Sequence, residues 1–308
     1  MTLVQPPMMV NGGHHSARAM RLMIRDLTRG RQGIAEAGDL KVRPLQAPGP
    51  GVRVGDGSAL IHGTRPWQGA YAQSNIGDAL VNVPPTGPCA RTDLLVLRVE
   101  DPEYEGKRDP RREDIGYFHL VQDVDQDTTV LREMTAIPLA RITLPRSTAA
   151  VTADMITDLR RLANPRTERI LHTVHPTATE LVPAPHGSWA NWPKEAAWDL
   201  DIPAWATKAT IVVTLSGLRA EGGNIYAELR TCLGEHNTAA TVVDDDGTTT
   251  RRAGVLLADT FPLPPAYRGT RQHLAVQINQ IDKYGDGDLA VAKGTAVTAD
   301  IVFTESPV

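Results

Sequence analysis

Residues 297–304 read VTADIVFT, and this stretch decides the fold class of the second half of the chain. Four apolar residues stand at every second position, namely Val297, Ala299, Ile301 and Phe303, and they alternate with the polar residues Thr298, Asp300 and Thr304. Successive side chains of a strand point to opposite faces, so this alternation predicts a strand with one buried face and one wet face. Such strands are typical of antiparallel sheets.

The same pattern extends through the rest of the second half. Residues 210–215, 225–229 and 274–279 are further predicted strands, the last two with period-two alternation. Turn signals separate them at Glu221-Gly222-Gly223-Asn224, Asp246-Gly247 and Gly285-Asp286-Gly287. About eight strands over about 130 residues predict a β-sandwich or a jelly roll.

The first half combines short strands with helices. An Asp-Gly pair between the apolar residues 52–54 and 59–61 predicts a hairpin. Residues 93–100, DLLVLRVE, form the most apolar strand and are predicted to lie in the middle of a sheet. Further strands are expected at 79–83, 117–121 and 137–144, and the charged residues 101–113 are expected to form a loop.

Two amphipathic stretches predict helices. Residues 16–29 place Met20, Met23, Ile24 and Leu27 on one face, with Ser16 as N-cap. This stripe needs a partner surface, either in its own domain or on a neighbouring subunit, and we expect an oligomer or docking interface. Arginines occupy the other side and are expected to be solvated or to pair with acidic residues of a neighbouring subunit, with phosphate binding as the alternative. Residues 152–163 are predicted to form the second helix.

The predicted fold class is mainly β with a few helices. An N-terminal α+β module, residues 1–164, ends before Pro165, and a C-terminal antiparallel, jelly-roll-like β-sandwich follows over residues 165–308.

Composition narrows the function classes. The net charge of −4 argues against a nucleic-acid partner, and the chain has no run of 18 apolar residues for membrane insertion. Cys89 and Cys232 lie far apart and form no metal or redox pair. The first twenty residues have no apolar stretch of the kind an export signal needs.

Tryptophan is concentrated in one segment, which contains Trp189, Trp192, Trp198 and Trp205. These rings could form a platform that stacks on sugar rings. The favoured interpretation is a core or oligomer-interface cluster, since tryptophan buries a large apolar area and keeps one polar handle. The intervening Pro193 and Pro203 favour packing across a domain surface.

The acidic and histidine clusters give weaker signals. Asp123, Asp125 and Asp127 begin a calcium-loop pattern that Thr128 and Met134 break. Loop aspartates at 244–246 and at 282, 286 and 288 suit turns as well as calcium. His172 and His175 have no further ligands at a zinc spacing. We therefore expect no metal, no cofactor and, since nucleophile motifs are absent from the sequence, no catalytic residues.

Several stretches, in order, resemble the N-terminal module of minor tail and upper-baseplate proteins in phages of Gram-positive and actinobacterial hosts. They are VRVGDGSALIHG (52–63), RTDLLVLRVED (91–101), and IPLARITLP (137–145) followed by VTADMITDLR (151–160). The resemblance covers roughly residues 1–164. It implies a module that docks onto other tail or baseplate proteins, in homo-oligomers that are often trimers, with a variable C-terminal domain that often faces the host.

The sequence thus predicts a structural component of a phage tail tip or baseplate. It would be located in the virion, assembled in the host cytoplasm, and would present a β-sandwich for host attachment. The alternative is a carbohydrate-binding module that recognises cell-wall glycan. An enzyme acting on a cell-wall polymer is a third hypothesis.

Overall fold

The structure, a computed structural model, describes residue 11 and residues 16–129, 133–184, 187–281 and 284–308. The chain forms two compact units. Unit 1 comprises residues 1–165 and 306–308, and unit 2 comprises residues 166–305. The last three residues therefore belong with the first half, although the sequence boundary grouped them with the second. Within unit 1, the Val308 N–H donates to the Ala37 carbonyl at 3.0 Å, and Arg160 Nη2 donates to the Val308 carbonyl at 2.9 Å.

Unit 1 contains one α-helix, one short 3₁₀ helix and ten strands among its described residues. They are α1 (Ala17–Leu27), β1 (Gly33–Ile34), β2 (Val42–Pro44), β3 (Gly51–Val54), β4 (Gly57–His62), β5 (Ala70–Asn75), β6 (Ala79–Asn82), β7 (Arg91–Val99), β8 (Gly116–Val121), β9 (Ala136–Leu144), the 3₁₀ helix Ala153–Met155 and β10 (Ile156–Asp158).

These strands make three small antiparallel sheets around one core. Their orders are β1-β4-β5, β2-β3-β6 and β10-β9-β7-β8. Strand β7 lies between β9 and β8 and is buried along most of its length, as its apolar sequence predicts. The core takes side chains from all three sheets, with Ile34, Val52, Leu95 and Ile142 among its buried members.

The hairpin predicted around Asp56 is wrong. Strands β3 and β4 belong to different sheets: β3 pairs with β2 and β6, and β4 pairs with β1 and β5. The Asp56 carbonyl accepts the Leu40 N–H at 2.8 Å, so the turn bonds to a third segment. Gly57 has a φ of 140°, and a Cβ there would lie 2.5 Å from the Asp39 Cβ. The chain therefore needs glycine at this point, where it passes from one sheet to the next.

The second predicted helix, residues 152–163, is also wrong. Only Ala153–Met155 is helical, as 3₁₀, and β10 then pairs with β9. Further on, the Ile34 N–H donates to the Arg161 carbonyl at 2.8 Å, and the Ala163 N–H donates to the Ile34 carbonyl at 2.9 Å. The segment satisfies its backbone groups through neighbouring strands, and this tertiary pairing overrides the helical spacing of its apolar residues.

Unit 2 is built from strands and one short 3₁₀ helix in its described residues. The strands are β11 (Thr167–Val174), β12 (Glu180–Leu181), β13 (Ala190–Asn191), β14 (Ala197–Asp201), β15 (Lys208–Glu221), β16 (Ile225–Leu233), β17 (His236–Asn237), β18 (Thr241–Asp245), β19 (Arg251–Pro262), β20 (Arg271–Gln280), β21 (Asp288–Val291) and β22 (Ala296–Thr304), with the 3₁₀ helix Pro265–Tyr267 before β20.

Two six-stranded antiparallel sheets form a sandwich. Sheet I contains β11, β12, β15, β19, β21 and β22, and sheet II contains β13, β14, β16, β17, β18 and β20. One core joins them, with Ile211, Ile301 and Phe303 from sheet I against Leu229 and Ile278 from sheet II. The alternating side chains predicted to be buried, Val297, Ala299, Ile301 and Phe303, point into this core. The predicted fold class, mainly β with few helices and antiparallel sandwich-type sheets, is confirmed.

Candidate functional site

Helix α1 is capped as its sequence predicts. Ser16 Oγ accepts the Ala19 N–H at 3.1 Å, which satisfies one of the free donors of the first turn. At the other end, the Thr28 N–H donates to the Ile24 carbonyl at 3.0 Å. The helix begins at Ala17 and ends at Leu27.

Arg21 anchors helix α1 to unit 1. The residue is 8% exposed. Its Nε donates to the Gln68 carbonyl at 2.9 Å, its Nη2 donates to Glu103 Oε2 at 2.8 Å, and its Nη1 lies 3.3 Å from Asp101 Oδ2. Burial alone would lower the pKa of this guanidinium, but hydrogen bonding to Glu103 and Tyr104 raises the pKa above its ordinary value. The expectation that the arginine side is solvated or pairs with another subunit is therefore wrong for Arg21.

A buried polar network surrounds this anchor. Gln68 is fully buried, and its Nε2 donates to Tyr71 Oη at 3.0 Å and to Thr135 Oγ1 at 3.2 Å. The Tyr71 hydroxyl in turn donates to Asp101 Oδ2 at 2.7 Å. Burial first, and then the bond to Asp101, raises the pKa of the Tyr71 phenol far above its ordinary value. The network fixes the helix, since breaking it would leave Asp101 buried without its cation.

The predicted stripe of α1 lies on the remaining part of the helix surface. Met20, Met23 and Ile24 are half-buried, and Leu27 is 74% exposed. Beside the helix, Trp67 is 69% exposed, with the Arg25 guanidinium 5.7 Å from its ring centroid. A firmly anchored helix thus presents an apolar edge to solvent. That another chain covers this edge stays a prediction.

Three of the four clustered tryptophans belong to the packing of the sandwich. Trp192 is fully buried in the core, where its Nε1 donates to the Glu180 carbonyl at 3.4 Å. Trp198 packs against the same core and stacks on His172, with ring centroids 5.5 Å apart and planes 11° apart. Trp205 also packs against the core, with the Arg166 guanidinium 5.7 Å from its ring. These rings contribute apolar area to unit 2.

Trp189 lies elsewhere, on the outer face of sheet II. It directly precedes β13, where the Asn191 side chain accepts a hydrogen bond from the Gln277 side chain on the outer face. The Arg230 guanidinium lies 4.0 Å from the Trp189 ring centroid, and Arg230 also projects from the outer face. The sequence grouped four tryptophans, and the strand register separates this one from the rest.

Five polar side chains beside Trp189 form what we call the polar ladder: Asn191, Gln277, Arg230, Asn279 and Glu228. Arg230 Nε donates to Gln277 Oε1 at 2.9 Å, and Gln277 Nε2 donates to Asn191 Oδ1 at 3.1 Å. On the next rung, Asn279 Nδ2 donates to Glu228 Oε2 at 3.3 Å. The alternation of residues 225–229 predicts a wet face for Glu228, but only the pairing of β16 with β20 places Glu228 opposite Asn279 and Arg230 opposite Gln277.

The acidic loops have other roles where the structure describes them. Asp245 Oδ1 accepts the Arg251 Nε at 2.8 Å and the Gly247 N–H at 2.8 Å, as in an ordinary hairpin turn. The Asp123 N–H donates to Asp93 Oδ1 at 3.1 Å. Asp282 lies outside the described residues, and within the described ones no group of three His, Cys, Asp or Glu side chains is placed to hold a metal ion. No helix of the described chain has the length and apolar character to span a bilayer.

Unit 1 also contains a cleft of about 370 Å³ beside β9 and β10. The carboxylate in its lining is Asp158, which is held by Arg160: Nε donates to Oδ1 at 2.9 Å and Nη2 to Oδ2 at 2.6 Å. Burial would raise the pKa of Asp158, but these bonds outweigh it and lower the pKa. The carboxylate therefore stays ionised and paired, which suits a structural role.

Comparisons with known proteins find no matching family model and no matching curated protein. Among solved structures, the chain is similar to a chain in the structure of infectious bursal disease virus strain Gt, at 12% identity and a TM-score of 0.26, over 90% of this chain and 76% of that one. It is similar to the delta-endotoxin Cry8Ea1 of Bacillus thuringiensis at 8% identity and a TM-score of 0.21, over 89% and 52% of the two chains. Such TM-scores carry no argument about function.

Proposed function

We propose that this chain is a structural component of a virus particle, at a phage tail tip or baseplate. Its first half docks by helix α1 in a homo-oligomer, with a trimer favoured, and its sandwich serves host attachment. The observation that carries the proposal is the apolar edge of an anchored helix, in which Leu27 is exposed and Met20, Met23 and Ile24 are half-buried.

The anchoring matters because an exposed apolar residue on a fraying segment would mean little. Arg21, held by three acceptors, keeps α1 in one position. A fixed apolar edge costs little to bring into an interface, since few groups must be ordered on binding. Covering a side chain such as Leu27 contributes about 2 kcal/mol in each copy. Closed symmetry repeats that gain in every subunit of the ring.

The resemblance of residues 52–63, 91–101, 137–145 and 151–160 to tail docking modules supports the same proposal. A protein that works through placement needs many copies and weak contacts, which together give strong attachment through avidity. The proposal therefore assigns neither a catalytic residue nor a cofactor to the chain.

The carbohydrate-binding alternative has one specific observation in its favour. Trp189 lies on the outer face of sheet II beside ordered amide and guanidinium groups. The two functions are compatible, because the first concerns the apolar edge of α1 and the second a face of the sandwich.

Light scattering on the purified chain tests the docking proposal. We expect an oligomer, three times the chain mass of 33.3 kDa, and a weaker association of Leu27→Glu. Losing about 2 kcal/mol per interface corresponds to roughly thirtyfold weaker binding. Leu80→Glu is the matched control, because Leu80 on β6 is 75% exposed, as Leu27 is 74% exposed. A monomeric wild type, or equal effects of both variants, would contradict the proposal.

A further inference from the structure

We infer that the outer face of sheet II is a binding face for a neutral polysaccharide, with the polar ladder at its centre and aromatic rings at its edges. The inference deepens the host-attachment part of the proposed function, and it rests on different residues from those that dock the chain. Nothing in the packing of the sandwich requires this arrangement, because the side chains concerned point away from the core.

Strand register sets the groups in rungs. Asn191, Gln277 and Arg230 stand side by side across β13, β20 and β16. Asn279 and Glu228 form the next rung, and Tyr226 forms the one after, opposite Asp244. Residues two apart on a strand are separated by roughly 7 Å, so the three rungs extend over roughly 14 Å along the strands, which is longer than one sugar ring. The face can therefore meet successive rings of an extended chain.

The ladder is ordered before any ligand arrives. Each of its hydrogen bonds uses one edge of an amide, a guanidinium or a carboxylate, and thereby fixes the direction of the other edge. Within the described residues the Arg230 Nη groups, the Asn191 amide nitrogen and the second Glu228 oxygen make no hydrogen bond, so they can serve as donors and acceptors for hydroxyl groups. Asn279 Oδ1 is buried and has no hydrogen-bond partner among the described residues. A sugar hydroxyl can donate a hydrogen bond to an acceptor of the ladder and accept one from a donor, so a sugar matches this mixture of donors and acceptors.

Aromatic rings flank the ladder. Trp189 is half-buried, and the Arg230 guanidinium stacked on it holds the indole in place. Two rungs away, Tyr226 and Tyr284 pack with centroids 5.1 Å apart, and Tyr284 is 57% exposed. Such rings offer an apolar surface with a polar edge. Sugar rings have the complementary character, with C–H groups on their faces and hydroxyls around the rim.

The charges on this face favour a neutral ligand over an anionic polymer. Arg271 Nε donates to Asp201 Oδ1 at 2.8 Å, and His273 Nδ1 lies 2.9 Å from Asp199 Oδ1. Arg230 is balanced by Glu228 on the neighbouring rung. A protein partner is also disfavoured, because protein hot spots need a desolvated apolar centre and this face has polar groups at its centre.

Affinity electrophoresis of the chain through gels containing glucan, galactan, mannan or arabinan, and through a gel containing the anionic polymer teichoic acid, tests the inference. We expect retardation by at least one of these neutral polysaccharides, and affinity reduced roughly tenfold or more in Trp189→Ala and in Asn191→Ala. Asn191→Ala guards against misfolding, since this side chain is exposed. Leu256→Ala is the matched control, because it removes an exposed apolar side chain from sheet I, the other sheet of the sandwich, and should bind as the wild type does.

Three results would overturn the inference: no retardation by any of the four polymers, retardation that survives both sheet II substitutions, or binding confined to an anionic polymer such as teichoic acid. The Leu27→Glu chain separates this inference from the docking proposal. If Leu27→Glu makes the chain monomeric and each chain still binds sugar with unchanged affinity, docking and glycan binding are independent.

Discussion

The buried position of Arg21 makes a quantitative prediction about helix α1. Replacing Arg21 by Met keeps most of the aliphatic stem but removes the cation from Asp101, whose side chain is 10% exposed, as that of Arg21 is. Removing one partner of a buried pair costs about 3–5 kcal/mol. We expect about 3 kcal/mol, the lower end, because Glu103 is partly solvated and Asp101 keeps the Tyr71 hydroxyl as a donor.

Hydrogen exchange of the α1 amides, read by mass spectrometry, measures this loss where it occurs. The helix opens locally when its anchor is removed, so a cost of about 3 kcal/mol corresponds to exchange on the order of a hundredfold faster. Arg18→Met is the control. Arg18 bonds to the same Glu103 but its side chain is half-exposed, and exposed ion pairs contribute less than about 1 kcal/mol. Equal exchange rates in the two variants would refute the assignment of Arg21 as the anchor.

Three further predictions concern the stability of each unit by itself. Trp192→Ala should destabilise unit 2 by about 4 kcal/mol in urea unfolding, because it empties a fully buried site, whereas Trp189→Ala should cost far less. The hydrogen bond from Arg166 lowers the pKa of Glu305 from 4.5, so the ionised carboxylate stabilises the fold above pH 4.5, and this stabilisation is lost as the pH falls through the lowered pKa. Glu305→Gln should therefore lower the stability at pH 7 and make it depend less on acid pH, as measured by thermal unfolding against pH. Gly33→Ala should destabilise unit 1 by at least about 2 kcal/mol, since φ is 142° and the new Cβ would lie 2.0 Å from the Arg161 carbonyl oxygen, whereas Gly38→Ala, with open space, should be neutral in the same assay.

The positions of the strands could be predicted from the sequence better than the pairing of one strand with another. Alternation in residues 297–304 is enough to bury Ile301 and Phe303, because period two has one physical meaning in a half-buried strand. The Ser16 cap was equally readable, since its hydrogen bond lies within one turn of chain. Both are local signals.

The errors come from contacts that are distant in sequence. The apolar spacing of residues 155–162 suits a helix, but pairing with β9 and with Ile34 satisfies the same residues as extended chain. The hairpin at Asp56 failed because β3 and β4 find other partners. Local propensity cannot choose between such alternatives, which depend on pairing across the fold.

The candidate sites divide in the same way. The α1 stripe could be found from helical spacing. The role of Arg21 could not, because its partners Gln68 and Asp101 are distant in sequence. The polar ladder could not be found, because it needs the register of three strands: β13, β16 and β20.

We propose that this chain acts by being placed in a particle, with the apolar edge of α1 covered by another chain. An electron cryomicroscopy map of a virion that contains the chain would show whether α1 is covered. We expect density of a neighbouring copy against Leu27 and Met23, at the tail tip or baseplate. A map in which α1 faces solvent in every copy would contradict it.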